Sequence, residues 1–144
     1  MKLSKSTVLV RQGDVLFTSV GRIHSGGKKK REDGAAAYGE VTGHSHQLSS
    51  ESKSCASVVE VGPELFVEVF AELDVLVGKD FVKVGSETFF SGIDFEGRVT
   101  IPSGKYSGVA FVHQEHCPVI LPVGDYRITI QKEYSPESIR SVLD

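Results

Sequence analysis

Cysteine is scarce in this chain. Two cysteines among 144 residues, Cys55 and Cys117, make no disulfide framework, and they suit a reducing compartment. Long apolar runs are missing too, since nothing approaches the ~20 residues that cross a bilayer. The first ten residues, MKLSKSTVLV, are basic, but their apolar part is only Val8-Leu9-Val10, too short for a secretory signal core. These absences set the expectation of a cytoplasmic protein with no membrane partner. A strong net charge is also lacking. Lys and Arg number 16 against 19 Asp and Glu, a balance of −3 that argues against a general polyanion binder. The basic run Lys28-Lys29-Lys30-Arg31 stands against that balance, yet acids follow it and no aromatic residue interleaves for base stacking. It is expected within a flexible, solvated loop over 21–37, and nucleic acid is not an expected partner. No internal repeat or low-complexity tract is found either.

What the chain does have is short β-forming runs in dense succession. Residues 1–144 are most simply one domain, long enough to bury a core. Thr7 to Val10 and Asp14 to Val20 read as strands about a Gln12-Gly13 turn. Tyr38 to Leu48 reads as one strand with Gly39 and Gly43 inside it. Ser57 to Val61 follows, and Leu65 to Val77 divides into two strands because Val and Phe outweigh the helix formers. Phe81 to Val84, Glu87 to Phe90, Arg98 to Ile101, Tyr106 to His113, Val119 to Leu121 and Tyr126 to Gln131 continue the pattern. Gly and Pro punctuate it throughout. The expected fold is all-β: a single-domain sandwich or barrel of short antiparallel strands. One short helix is expected at 135–143, with Ser135 as N-cap, Pro136 in the first turn and Glu137 favouring the dipole.

The second thing present is histidine in pairs. Four of the five histidines form His44-x-His46 and His113-x-x-His116. Imidazole is the commonest metal ligand near neutral pH, and two such pairs can supply the nitrogens of a zinc-type site. On a regular strand, residues two apart share a face, so His44 and His46 can aim at one ion. Residues three apart do not, so Gln114-Glu115 must form a corner, which Pro118 makes easier. Nitrogen-rich ligation points to a transition metal, zinc first, with iron, nickel or manganese as alternatives. Cys117 is read as a buried small residue rather than a ligand. Glu115 and Glu133, with Glu40 behind them, are the carboxylates placed to move a proton. Tyr134 could close such a site.

The segments RQGDV, GEVTGHSHQL and HQEHCPVILPVGDYRITIQKEYSPESIR resemble a family of small, uncharacterised β-rich proteins from bacterial and phage genomes. That family carries GHxH, HxEHxPI and QxEYxP motifs. The resemblance covers Arg11 to Gly13, Gly39 to Leu48 and His113 to Arg140, and it implies His44, His46, His113, Glu115, His116, Gln131, Glu133 and Tyr134 as recurring site positions. It implies no activity. A fainter similarity is to the cupins, whose HxH is followed by a glutamate ligand, as His44-x-His46-x4-Glu51 is here. Their second motif, PxG-x2-H, has no histidine at that offset after Pro102 or Pro122.

The leading expectation is therefore a metal-dependent hydrolase with His44, His46, His113 and His116 around an ion and Glu115 or Glu133 handling the proton. Its substrate would be a small or phosphorylated molecule, and a homo-oligomer is compatible with the sequence. A cupin-like oxygenase or isomerase is the enzyme alternative. A non-catalytic, phage-associated binding protein with a structural metal is the other, because four histidines on a tetrahedral ion leave no open position.

Overall fold

Short runs rich in Val, Phe and Ile, each ended by a turn, favour antiparallel hairpins over helices. The computed structural model describes residues 9–21, 23, 27–38 and 45–131, and it is built of such strands. In chain order they are β1 (Leu9–Gln12), β2 (Val15–Val20), β3 (Lys28–Lys30), β4 (Ala35–Tyr38), β5 (Ser45–Leu48), β6 (Ala56–Val61) and β7 (Glu64–Val69). Then come β8 (Leu73–Val77), β9 (Phe81–Val84), β10 (Glu87–Phe90), β11 (Gly104–Val112), β12 (Val119–Leu121) and β13 (Gly124–Ile130). A 3-10 turn at Ser52–Ser54 is the one helical element among the described residues.

One sheet has the order β1-β2-β13-β7-β6-β3, the other β10-β9-β8-β11-β5-β4 with β12 also on β11. Every pairing of these strands is antiparallel. The sheets curl into a half-barrel. The all-β, antiparallel expectation holds, while the helix expected at 135–143 lies outside the described residues. No helix among the described residues is long and apolar enough to cross a membrane.

β11 organises the packing. It is buried at four successive positions, 108–111, so both of its faces are covered. Val109 and Phe111 join Val15 and Phe17 of β2, Val67 of β7 and Tyr126 of β13 in the core between the sheets. Ala110 points the other way, into a second cluster with Val75, Val82, Phe95 and Cys117. The Phe17 and Phe111 rings stand 4.7 Å apart across the first core. Alternation of side chains across a strand explains the split: one strand serves two cores.

Three expectations change. The segment 21–37 is not simply loop, because β3 and β4 lie within it. The basic run forms an edge strand on β6, where Lys28 pairs with Glu68 and Arg31 with Glu60, each at 2.7 Å. Charge along an edge also discourages pairing with another chain. Of the strand expected over 38–48, residues 39–44 lie outside the described residues; its two ends belong to separate strands, with Tyr38 of β4 paired antiparallel to Ser45 of β5. Arg98 to Ile101 makes no ladder at all; Val99 and Ile101 pack against the second core without a strand partner.

The sequence also repeats a device that composition hides. Pro102-Ser103-Gly104-Lys105-Tyr106 and Pro122-Val123-Gly124-Asp125-Tyr126 lead into β11 and β13. In each, the tyrosine hydroxyl donates to the proline carbonyl four residues back, at 2.6 and 2.7 Å. The same bond thus fixes the entry of two central strands. Because Phe111 fills the main core with no exposed area, Phe111→Ala should cost about 3–5 kcal/mol in urea unfolding. A loss below about 1 kcal/mol would mean that this core is not packed as described.

Candidate metal centre

β11 ends at Val112 and β12 begins at Val119, so 113–118 is the connection that folds one onto the other. This is the corner that His113-x-x-His116 requires. Its carbonyls are held from outside: Glu96 N–H donates to Gln114 O at 3.1 Å, and Gly97 N–H to Glu115 O at 3.1 Å. Ser45 of β5 donates its backbone N–H to the Gln114 side chain at 3.2 Å. Since β5 also pairs with β11 through Phe111↔Leu48 and Val112↔Gln47, His46 arrives beside the corner despite its distance in sequence.

Three donors converge there. Ligand atoms of His113, Glu115 and His116 all lie within 4.8 Å of one another. His113 is buried, whereas Glu115 and His116 are half-buried, so the cluster opens to solvent on one side. The Glu115 backbone N–H donates to Nδ1 of His113 at 3.0 Å, so an ion at that nitrogen would have to displace the amide. The His113 and His116 ring centroids are 4.8 Å apart, and the His46 ring lies 4.2 Å from His113, tilted by 31°.

His46 lies beside these rings and is held by other partners. Its Nδ1 lies 2.8 Å from Oε1 of Gln12, and its Nε2 lies 3.6 Å from Oδ1 of Asp14. Gln12, 2% exposed, gives both of its amide hydrogens away, to Phe111 O at 2.9 Å and Cys117 O at 3.1 Å. Carbonyls only accept, so the Gln12 oxygen must face His46, and His46 Nδ1 must be the donor. Burial lowers the His46 pKa from 6.5 to about 4, with His113 adding to the effect and Asp14 opposing it. The ring is therefore neutral at pH 7.

The turn between β1 and β2 completes the surround. Gly13 has φ +61°, and a Cβ there would stand 2.6 Å from Nε2 of His116. Glycine is needed twice, for its conformation and for the room it leaves. Among the other expected residues, His44, Glu40, Glu133 and Tyr134 lie outside the described residues. Gln131 sits at this turn, its N–H donating to Asp14 O at 2.7 Å and its side chain accepting from Arg11 at 2.6 Å. Glu51, the glutamate of the cupin-like spacing, spends its carboxylate on the Ser86 amide and hydroxyl between β9 and β10. Those bonds, the hydroxyl first, hold it below the usual carboxylate range. Cys117 is buried with a free thiol and is not among the clustered donors.

A family model described as "Domain of unknown function (DUF8820)" matches residues 11–109. The chain belongs to that family. The matched stretch holds Gln12, Gly13, Asp14 and His46 and stops before His113. No curated protein and no solved structure matches the chain. Membership in this family brings a shared domain and no activity, so the chemistry rests on the residues.

Reasoning from sequence missed Gln12 and Asp14 as site residues. The segment RQGDV was singled out, but a glutamine beside glycine reads as a turn residue, not as a buried donor. Two outcomes check this geometry. In metal-free protein, the depressed His46 pKa means that the unfolded chain binds the extra proton first as the pH falls. Stability should then be full above about pH 6.5 and decline toward pH 4. Urea midpoints should show that decline, and His46→Gln should flatten it; an equally steep profile in the variant would contradict the assignment. Separately, Gly13→Ala should cost about 1–2 kcal/mol for its backbone conformation and displace the His116 ring resonances. Unmoved resonances at wild-type stability would refute the close approach.

Proposed function

We propose that this chain is a transition-metal-binding protein, zinc the leading ion, and that it acts as a metal-dependent hydrolase. One observation carries the reading: His113, Glu115 and His116 bring two imidazoles and a carboxylate together at a single braced corner. Two histidines with a carboxylate are a ligand set found in catalytic zinc sites, where three protein donors leave a further position open. The half-burial of Glu115 and His116 supports an accessible site rather than a sealed, structural one.

A bound zinc-type ion would supply an acidified water and a Lewis acid. The chain's own part is to hold its donors in place and exclude solvent from one side. The backbone bonds from Glu96 and Gly97 fix the corner, and Gly13 leaves room for the His116 ring. A cavity of about 160 Å³ beside His113 is lined by Ser45, Gln47, Phe89, Asp94 and Gln114. It offers a place of mixed polar and apolar lining for part of a small substrate. The larger groove, about 640 Å³ across β8, β9 and β11, holds none of the histidines and is not assigned a role. Glu115 serves either as ligand or as base, and one substitution separates the two.

Elemental analysis of protein purified without chelator should find close to one equivalent of transition metal. His116→Ala should lose most of it. Glu115→Gln should strip the metal if the carboxylate is a ligand, or keep the metal and abolish hydrolysis if it is the base. Wild-type protein that takes up no zinc, iron, nickel or manganese would overturn the reading.

A further inference from the structure

The groove of about 640 Å³ across β8, β9 and β11, idle in the chemistry of the His113 corner, lies on the sheet face turned away from the second core. Val75, Val77, Val82 and Val84 point into that core, so alternation turns Asp74, Leu76 and Lys83 outward. Lys105 pairs with Leu76 and Leu76 with Lys83, so one transverse row reads Lys105-Leu76-Lys83. The next row reads Ser107-Asp74-Gly85, the Gly85 amide donating to Asp74 O at 2.9 Å. Neighbouring strands lie about 4.8 Å apart, so the two lysines are rooted roughly 10 Å from each other, one on either side of Leu76. Both are exposed, and Leu76 between them is 41% exposed. On the other sheet Lys28, Arg31 and Arg127 each pair with a glutamate. Neither Lys83 nor Lys105 has an ion-pair partner among the described residues.

Two unpaired ammonium groups flanking one apolar side chain match a doubly charged anion, and a phosphate monoester carries about −1.5 to −2 at pH 7. A nucleic-acid strand is a poorer match. Its phosphates, following the groove past the lysines, would meet Asp74 and then Glu51, whose carboxylate stands against Gly85. That same end suits hydroxyl groups, since the Asp74 carboxylate accepts hydrogen bonds and the Ser107 hydroxyl both donates and accepts. We propose that this groove binds a small phosphorylated polyol, its phosphate between Lys83 and Lys105 and its hydroxyls toward Asp74 and Ser107. The volume falls within the roughly 300–1,000 Å³ typical of small-ligand sites. About 20 Å of extended chain separates Ser107 from His113, so this is a second site and not part of the metal centre. It holds whether or not the His113 corner binds an ion.

Titration of the full chain with ribose 5-phosphate, followed by amide proton–nitrogen spectra, tests it. Saturable shifts should concentrate at 74–76, 83–85 and 105–107 and leave the resonances of 113–118 in place. Lys83→Gln and Lys105→Gln, both at exposed positions, should each weaken binding by about 10-fold or more, as loss of a charge-assisted bond does. Their spectra away from the groove report that the fold is kept. Wild type should prefer ribose 5-phosphate to inorganic phosphate, and Asp74→Ala should erase most of that preference. Shifts that do not saturate in the millimolar range, shifts centred on other residues, or lysine variants that bind like wild type would overturn the proposal. So would equal affinity for inorganic phosphate. A short oligothymidine that occupies the same residues more tightly would overturn it too, and would make this face a nucleic-acid surface.

Discussion

The side chain of Gln12 is the interaction on which the site depends. It leaves β1 of one sheet, grips the carbonyls of Phe111 and Cys117 at the two ends of the other sheet's corner, and accepts from His46 of β5. A buried amide with any of those bonds missing would cost about 1–3 kcal/mol, so the three partners are held as a set. The consequence is a rigid frame in which the His113 corner, the His46 ring and the Gly13-Asp14 turn cannot move independently. Rigid support of this kind separates a preorganised site from histidines that merely lie near one another.

The frame also explains why the site can stay open. The chain buries two apolar clusters that share β11, and neither includes a histidine. The His113 corner lies at the end of β11, where His113 is buried and His116 half-buried.

Much of this was legible in the sequence because it follows from period and punctuation. Short Val-rich runs between glycines gave the antiparallel strands, and three-residue spacing with Pro118 nearby required the corner at Gln114-Glu115. What escaped has physical causes. The run Lys28 to Arg31 hides an edge strand, since Lys28 answers Glu68 and Arg31 answers Glu60 rather than a core. Val99 and Ile101 look like strand residues but gain their burial from side-chain packing alone. The direction of His46 depends on a glutamine 34 positions away and on two carbonyls farther still, which no local pattern encodes.

X-ray absorption at the zinc edge of the loaded protein tests the central claim most directly. A centre made from the histidines and carboxylates of this frame predicts nitrogen and oxygen neighbours at about 2.0–2.1 Å, with the outer-shell scattering of imidazole rings, and no sulfur. Sulfur at about 2.3 Å would place Cys117 or Cys55 on the metal, and a shell without imidazole would mean that the histidines hold none; either result would contradict the account.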